Sequence, residues 1–219
     1  MSGSSKKPLI VMGAGGHASV VVDCLVESTS TILGVVDPAL PVGDRALGMK
    51  VLGSDDKVFE YSPEEILLVN GIGMVEFSTA RRDVSKRMRQ FGYKFQTIVH
   101  SSAITSNQAM LEEGVQIMAG VILQPGIKVG CDSIVNTGAL IDHDCVIGMG
   151  CHICPGVTLA GNVIIGDGTM IGSGSTVLPG TVIGSRVLIG AGATIYHDIE
   201  SGTTVRQRPE EVVKLEERP

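Results

Sequence analysis

Residues 136–162 read NTGALIDHDCVIGMGCHICPGVTLAGN, and an aliphatic residue recurs at every sixth position of this stretch. These positions are Ile141, Ile147, Ile153 and Leu159. The same column runs from Val99 to Ile195, and Thr105 alone interrupts it. A short strand and a corner that repeat without a break predict a parallel β-helix in which each coil stacks on the one before it.

Two further columns follow the aliphatic one. Small or β-branched residues stand four positions after the aliphatic residues, and Gly, Asn or Asp stands three positions after most of them. The first column includes Ala139, Cys145, Cys151, Val157 and Val163, and the second includes Gly138, Asp144, Gly150, Gly156 and Asn162. Because Gly, Asn and Asp tolerate positive φ, the second column predicts the sharp corners of the coil. The first column predicts the small side chains that fill its inside.

The five cysteines are odd in number, and the amino terminus shows no export signal, so we expect reduced thiols and no disulfide. Cys145 and Cys151 fall in the small inward column, where a free thiol acts as a small buried hydrophobe. The spacing of Cys151 and Cys154 resembles half of a zinc site, but a second ligand pair at a matching spacing is missing. We therefore predict no metal site.

Composition narrows the classes of protein. The chain has 29 glycines, no Trp and 3% aromatic residues, so its interior must consist of aliphatic side chains and tight turns. A formal net charge of -6, without a cluster of Lys and Arg, argues against binding to nucleic acid. The apolar run LIVM ends at once in GAGG, and no stretch approaches the length of a membrane span. We expect a cytoplasmic protein with small-molecule partners and with neither nucleic acid nor membrane partners.

The 219 residues are enough for two domains. We predict a flexible tail over residues 1–8, a Rossmann-like domain over 9–98, the β-helix over 99–199 and a capping tail over 200–219. The amino-terminal half alternates apolar runs with amphipathic stretches, which predicts a parallel α/β sheet.

The predicted strands of this half are PLIVM, TILGVVD, MKVLG, ILLVN and YKFQTIV, and the predicted helices run from about His17 to Glu27, from Ser54, and over STARRDVSKRMRQF. For the last helix, Ser78 is the expected N-cap and Gly92 the expected stop.

The first predicted strand runs into GAGGHA, residues 13–18, which matches G-x-G-x-x-A, and Asp37 closes the second strand. The glycines of this motif are Gly13, Gly15 and Gly16. Such a loop brings backbone N–H groups to an anion at a helix N-terminus, and the acid after the second strand takes a ribose hydroxyl. About ninety residues form only half of a dinucleotide fold, so a mononucleotide such as UDP fits better than NAD. A glycine-rich turn needed only for packing is the alternative.

The chain resembles one family over nearly its whole length, the hexapeptide-repeat sugar acetyltransferases. The resemblance is carried by the loop GAGGHA and by the hexads that follow it, which include residues 136–162. Within this family, the chain is similar to the sialic acid O-acetyltransferases and, more closely, to the acetyl-CoA-dependent N-acetyltransferases of UDP-4-amino-4,6-dideoxy sugars in bacillosamine biosynthesis. The resemblance implies a left-handed β-helix with three hexads, or about eighteen residues, per coil. It also implies acetyl-CoA as co-substrate, a UDP-linked amino sugar as acceptor and a homotrimer.

Several site residues follow from the resemblance. His143 matches the family's catalytic base, and Asp144 matches the acid beside it. Asn136 matches a residue near the reacting amine, and His152 a residue that contacts the acetyl group. Gly161 matches the glycine whose N–H meets the thioester carbonyl. The residues that match the nucleotide-binding positions are His17 and Asp37, with the glycines of the loop and with Pro38.

The carboxyl-terminal tail departs from the family. Many relatives end with a G-x-P-A-[KR] segment that touches coenzyme A, whereas this chain reads SGTTVRQRPEEVVK. Arg206 or Arg208 is the candidate partner for a phosphate of the cofactor. A solvated capping helix from Pro209 is the alternative.

The spacing supports the catalytic roles independently. Gly161 is eighteen residues after His143 and hence one coil above it, while Pro125 is one coil below. His143 and Asp144 occupy corner positions that point out of the core; two polar residues at a solvated corner are the alternative. His152 is nine residues, or half a coil, from His143, so the two rings can share a pocket only across subunits. This spacing agrees with a homotrimer.

We therefore predict an acetyltransferase that acetylates the 4-amino group of a UDP-linked 4-amino-4,6-dideoxy sugar by direct transfer, with His143 as general base. O-acetylation of a sialic acid-type sugar is the first alternative. A nucleotide-dependent oxidoreductase with a β-helix for oligomerisation, and a non-catalytic scaffold, are alternatives from other classes.

Overall fold

The computed structural model of the chain describes residues 7–28, 30–75 and 78–206. The first part is a small α/β domain. Its elements are β1 (Leu9–Met12), α1 (Gly16–Glu27), β2 (Ile32–Val36), β3 (Arg45–Ala46), β4 (Met49–Gly53), a short 3-10 helix (Asp55–Glu60), β5 (Leu67–Asn70) and α2 (Ala80–Gln90). The strands form one sheet in the order β3-β4-β2-β1-β5, which is parallel except for the pairing of β3 with β4.

The inner strand β1, which lies between β2 and β5, is buried along its whole length because both faces of the sheet are covered. Leu9 and Val11 pack in the cluster that contains α1, and Ile10 and Met12 pack in the cluster that contains Met88 of α2. This alternation is the period of two expected of a strand, and it explains why the strand is a continuous apolar run.

The second part is a parallel β-helix built from strands of two residues each. They are β6 (Ile98–Val99), β7 (Ile104–Thr105), β8 (Met110–Leu111), β9 (Gln116–Ile117), β10 (Ile122–Leu123), β11 (Lys128–Val129), β12 (Ile134–Val135), β13 (Leu140–Ile141), β14 (Val146–Ile147), β15 (His152–Ile153), β16 (Thr158–Leu159), β17 (Ile164–Ile165), β18 (Met170–Ile171), β19 (Thr176–Val177), β20 (Val182–Ile183), β21 (Leu188–Ile189), β22 (Thr194–Ile195) and β23 (Thr204–Val205). The register pairs Ile122 with Leu140, which is 140 − 122 = 18 residues further on, so one coil contains three hexads.

The coils stack into a prism with three faces. We call the sheet of β6, β9, β12, β15, β18, β21 and β23 the docked face, because its outward residues Ile98, Gln116, Ile134 and His152 are buried. The sheet of β7, β10, β13, β16, β19 and β22 is the second face, and that of β8, β11, β14, β17 and β20 is the third face. The far corner is the edge where the second and third faces meet.

The predicted columns account for the interior of the prism. Inward aliphatic residues such as Ile141 and Ile153 are buried in one continuous cluster, together with Cys145 and Cys151. The corners have positive φ at the predicted Gly, Asn and Asp positions, for example +60° at Asp144. All five cysteines lie in the described part of the chain, and none of them is joined to another in a disulfide.

Two local predictions in the amino-terminal half were wrong, and one element was not predicted. The run YKFQTIV is not a strand of the first sheet, because only Phe95 pairs with that sheet, through a single bridge to Leu68. The last two residues of the run belong to the β-helix as β6. The helix N-cap is Thr79 rather than Ser78. The hairpin of β3 and β4 was not anticipated. Gly92, with a φ of +87°, does stop α2.

The β-helix continues past residue 199, because β23 pairs with β21 on the docked face. The described part of the chain contains no helix that is both long enough and apolar enough to span a membrane.

Candidate active site

The two parts of the chain enclose a cleft of about 580 Å³, which we call the interdomain cleft. The residues that line it are Gly13, Ala14, Gly15, Gly16, His17, Val20, Asp37, Gly71, Ile72, Gly73, Met74, Val75, Asn136 and His152. Gly13 has a φ of +88°, and a Cβ there would stand 3.0 Å from Ile72 Cγ1, so the turn after β1 requires glycine. Gly15 and Gly16 face open space. The predicted glycine loop therefore borders a cleft, with the N-terminus of α1 beside it.

Asp37 holds this loop in place. Its Oδ2 accepts a hydrogen bond from the Ala14 N–H at 2.9 Å, and its Oδ1 accepts one from the Ala39 N–H at 2.9 Å. Pro38, between the two, is exposed. A carboxylate has about four acceptor positions, so Asp37 can still accept from a ligand hydroxyl while it fastens the loop.

A hydrogen-bond network joins the cleft to the β-helix. The Nε2 atom of His17 lies 2.7 Å from Oε1 of Gln116, and Nε2 of Gln116 donates to the carbonyl oxygen of Asn70 at 2.8 Å. Arg81 donates to the same carbonyl at 2.9 Å and to that of Ile72 at 2.8 Å. Burial, more than the charge of Arg81, lowers the pKa of His17. His17 is therefore a neutral imidazole at neutral pH.

His152 and Asn136 meet on the opposite wall of the cleft, as neighbouring residues of the docked face. Nδ1 of His152 lies 3.2 Å from the carbonyl oxygen of Met74, so this nitrogen carries the proton and donates. Nε2 of His152 lies 3.1 Å from Nδ2 of Asn136, whose Oδ1 accepts from the Thr137 N–H at 2.8 Å. Burial lowers the pKa of His152 to about 4. Both nitrogens of this neutral ring are thus engaged within the chain.

The second predicted group, His143 with Asp144, lies on the far corner. Nδ1 of His143 is 2.9 Å from Oδ2 of Asp144, and both side chains are more than half exposed. The hydrogen bond with Asp144, followed by the charge of Asp142, raises the pKa of His143. Asp142 also accepts the backbone N–H of His143 at 2.8 Å. Because Oδ2 of Asp144 accepts a hydrogen bond from Nδ1–H, Nε2 of the neutral ring keeps its lone pair and is free to act as a base.

Gly161 lies one coil above His143. A Cβ at position 161 would stand 2.6 Å from Nε2 and 2.7 Å from Cε1 of the ring, so a side chain there would displace the imidazole. One coil below, the carbonyl of Pro125 accepts the Asp144 N–H at 3.0 Å. Gly161 itself is buried, and its N–H makes no hydrogen bond with the described residues. The stacking inferred from the spacing of eighteen residues is therefore present.

The predicted site residues thus form two groups within one chain. The first group lies in the interdomain cleft and consists of the glycine loop, His17, Asp37, Asn136 and His152. The second group lies on the far corner, the edge of the prism that the docked face does not reach, and consists of His143, Asp144 and Gly161. Arg206 is exposed just after β23. Arg208 and the segment from Pro209 lie outside the described residues.

Sequence reasoning missed Gln116, Asn70, Met74 and Arg81, which fix the two histidines of the cleft. Only Gln116 had a signal in the sequence, because a polar residue stands there directly before Ile117 of the aliphatic column. The structure shows that Gln116 is only 1% exposed. Asn70 and Met74 contribute their backbone carbonyl oxygens, and Arg81 comes from a distant part of the chain. No sequence pattern marks these three residues.

No group of three or more His, Cys, Asp or Glu side chains suited to a metal ion occurs in the described ranges. Cys151 and Cys154, which have a zinc-like spacing, are both buried, and burial raises the pKa of their thiols to about 12 and about 11. Neither is a thiolate at neutral pH, so neither is poised as a nucleophile or ligand.

Comparison with known proteins gives the family. The profile described as "Bacterial transferase hexapeptide (six repeats)" matches residues 162–197, and that described as "PglD N-terminal domain" matches residues 8–88. The acetyltransferase domain of PglB from Neisseria gonorrhoeae FA1090, solved with acetyl coenzyme A, is 32% identical, with a TM-score of 0.85 over 95% of this chain and 100% of that chain. The chain belongs to the hexapeptide-repeat sugar acetyltransferase family.

Two other solved structures of this acetyltransferase fold are similar. A histidine-to-alanine variant of GDP-perosamine N-acetyl transferase from Caulobacter crescentus, solved with CoA and GDP-perosamine, is 31% identical, with a TM-score of 0.83 over 91% of this chain and 93% of that chain. WeeI from Acinetobacter baumannii AYE is 19% identical and shares the fold, with a TM-score of 0.64 over 95% of this chain and 100% of that chain. The predicted family and fold class, a Rossmann-like domain followed by a left-handed β-helix, are confirmed.

Proposed function

We propose that this protein transfers an acetyl group from acetyl-CoA to the 4-amino group of a UDP-linked 4-amino-4,6-dideoxy sugar. The geometry of the far corner carries the proposal. Nε2 of His143 is free, the carboxylate of Asp144 is hydrogen-bonded to Nδ1, and Gly161 lies directly above the ring. The PglB domain was solved with acetyl coenzyme A, and the Caulobacter crescentus enzyme with CoA and a nucleotide amino sugar.

The far corner suits direct transfer to an amine. An ammonium ion has no lone pair, so a base must take a proton from the attacking nitrogen. Nε2 of His143 takes it as the new N–C bond forms, and Asp144 stabilises the resulting imidazolium. The tetrahedral intermediate then collapses with cleavage of the C–S bond, and the leaving sulfur receives the proton held by the His143 imidazolium, which gives the free thiol of coenzyme A and restores the neutral ring.

The N–H of Gly161 has no hydrogen-bond partner among the residues that the structure describes, which supports its role as a donor to the thioester oxygen. A backbone donor aimed at an oxygen that becomes negative stabilises the transition state more than the ground state. Because Cys145 is buried and burial raises its pKa, we propose transfer without an acyl-enzyme.

The interdomain cleft is the proposed site of the nucleotide sugar. The exposed N–H groups at the start of α1 suit the diphosphate, and Asp37 suits a ribose hydroxyl. The cleft's other wall, with Asn136 and His152, would then face the sugar. Coenzyme A would lie along the far corner, where Arg206 or Arg208 would meet a phosphate.

The separation of the two groups supports a homotrimer as the active form. His143 and the interdomain cleft of the same chain lie on different edges of the prism, so His143 of the partner subunit would complete each cleft. The faces beside the far corner also expose apolar side chains that a second copy would cover. These are Ile104, Met110, Leu140, Val146, Ile164 and Val182. We assign the reaction to the cytoplasm, a reducing compartment that suits five cysteines none of which is joined in a disulfide.

A panel assay tests the proposed function. Release of the coenzyme A thiol is measured with acetyl-CoA and a set of UDP- and GDP-linked 4-amino-4,6-dideoxy sugars, with sialic acid as the hydroxyl acceptor and NAD(H) binding as a separate measurement. Thiol release with a UDP-amino sugar supports the proposal. The GDP-perosamine complex favours a GDP-linked amino sugar as the second candidate. Activity on sialic acid alone, or NAD(H) binding without thiol release, would refute N-acetyl transfer.

A further inference from the structure

We infer that Gln116 is a positioning residue that fixes His17 with its proton on Nε2, so that the interdomain cleft presents the bare Nδ1 lone pair of His17 to the sugar of the ligand. The group that meets His17 must then be a hydrogen-bond donor, a hydroxyl or an amine, and not a phosphate. The identity of the ligand rests on the proposed function, whereas the state of the ring does not.

The orientation of Gln116 follows from its neighbours. The carbonyl oxygen of Asn70 can only accept, so the group that faces it at 2.8 Å must be the amide nitrogen of Gln116. Arg81 donates to the same carbonyl at 2.9 Å. The amide of Gln116 cannot flip without placing its oxygen against this carbonyl. Oε1 of Gln116 therefore faces His17.

The tautomer of His17 follows in turn. Oε1 of Gln116 can only accept, and Nε2 of His17 lies 2.7 Å from it, so this nitrogen must carry the proton. A neutral imidazole has one N–H, so Nδ1 is left as an acceptor. Nδ1 makes no hydrogen bond with the described residues, and it is not among their buried unpaired atoms. Since His17 lines the interdomain cleft, Nδ1 opens toward it.

The surroundings keep the ring neutral. Burial is the largest influence on the pKa of His17 and lowers it; the hydrogen bond with Gln116 raises the pKa in part, and the charge of Arg81 behind the network lowers it again, so the net shift is downward. The other titratable groups that line the cleft are His152, which is itself neutral, and Asp37, whose two oxygens bind backbone N–H groups of the loop. The lone pair on Nδ1 thus persists at neutral pH.

A bare lone pair selects its ligand. Phosphate oxygens are acceptors and would be repelled by Nδ1, whereas a hydroxyl or an amine would donate to it. A Cβ at Gly73 would stand 3.2 Å from Cβ of His17, and His152 bonds to the carbonyl oxygen of the next residue, Met74. The two rings therefore lie at the same end of the cleft, next to Asn136. We therefore assign the donor to the sugar and the diphosphate to the N–H groups of the glycine loop.

Nitrogen-15 NMR of the histidine-labelled protein, without any ligand, tests the tautomer directly. The expected result is that Nε2 of His17 is protonated and Nδ1 is not.

In Gln116→Met, which removes the acceptor, we expect a mixture of tautomers. In Gln116→Glu, whose carboxylate also accepts from Nε2, we expect the Nε2 proton to remain and the pKa of His17 to rise. A proton on Nδ1 in the natural chain would overturn the inference, whatever the activity. Gln108→Met, an exposed glutamine on the β-helix, is the matched control and should leave His17 unchanged.

Binding measurements test the donor. Calorimetry with UDP alone and with the UDP-amino sugar should show that Gln116→Met weakens the sugar nucleotide about tenfold and leaves UDP unchanged. In steady-state assays the KM for the sugar nucleotide should rise by a similar factor, with kcat within about twofold. Equal loss of UDP affinity would place His17 against a phosphate and overturn the inference. If the natural chain binds neither ligand, the proposed function fails while the NMR result still decides the tautomer.

Discussion

Gly161 lies over the ring of His143 so closely that a Cβ at position 161 would stand 2.6 Å from Nε2. Its φ is not in the left-handed region, unlike the φ of the corner glycines, so space rather than backbone conformation requires glycine here. The stacking of coils places the two residues together although they are eighteen positions apart, because neighbouring coils are in register.

Gly161→Ala should lower kcat by about 10² while thermal unfolding changes little, because the new methyl group displaces an exposed ring. The measurement is steady-state kinetics of thiol release. If the methyl group acts through the ring, Gly161→Ala should have almost no further effect in a His143→Ala background. Additive losses would mean that Gly161 acts independently, through its N–H alone.

His143→Ala should lower kcat by about 10² or more with little change in affinity for the nucleotide sugar, because the ring acts on the proton of the amine and the nucleotide is held by the glycine loop and Asp37. Calorimetry and initial rates separate the two quantities. His197→Ala, at another exposed histidine of the β-helix, is the matched control and should retain full activity. An active His143→Ala enzyme would remove this residue from the role of base.

The pH profile should show an acidic limb that reports His143. Its pKa is raised above the ordinary value, and the base must be unprotonated, so kcat/KM should fall as the pH drops through that raised pKa. Asp144→Asn keeps an acceptor for Nδ1–H but removes the charge, so the limb should move to lower pH. Asp142→Asn should move it the same way by a smaller amount. A limb that stays fixed in both variants would assign it to another group.

Stability should fall in mild acid because of His152. Its pKa is about 4 in the folded chain and near 6.5 when unfolded, so the unfolded chain binds more protons between these values and stability is lost as the pH drops through this window. The loss attributable to this residue is about 2 kcal/mol between about pH 7.5 and about pH 5. Urea unfolding of the natural chain and of His152→Gln should show a shallower pH dependence in the variant. Identical slopes would contradict a neutral, buried His152.

Subunit mixing should restore activity. His143→Ala and Asn136→Ala chains should each be nearly inactive, but if each cleft is completed by a partner, mixed trimers contain sites with both groups intact. An equal mixture after unfolding and refolding should regain about a quarter of the natural activity. Sedimentation should give a trimer throughout. An active monomer, or a mixture as inactive as its parts, would exclude a shared site.

The β-helix could be predicted residue by residue because its signal is repeated in every hexad, so an error at Thr105 did not obscure the pattern. YKFQTIV misled because its alternating apolar residues suit a strand, while the β-helix takes its last two residues as β6. The positions of His143 and Gly161 followed from the period alone. Gln116 could not be assigned a role, because its partners His17 and Asn70 lie 99 and 46 residues away in the chain.

The eighteen-residue register also limits how the chain can change its length. An insertion or deletion of one whole coil leaves every later side chain on its original edge, whereas six or twelve residues added to or removed from the coil itself move all of them to another edge. Removing one coil before His143 would keep its imidazole on the same edge but lower it by about 4.8 Å relative to the amino-terminal domain. Viable length variants should therefore differ by whole coils, and they should gather beyond Gly161, where the vertical offset between base and cleft is untouched.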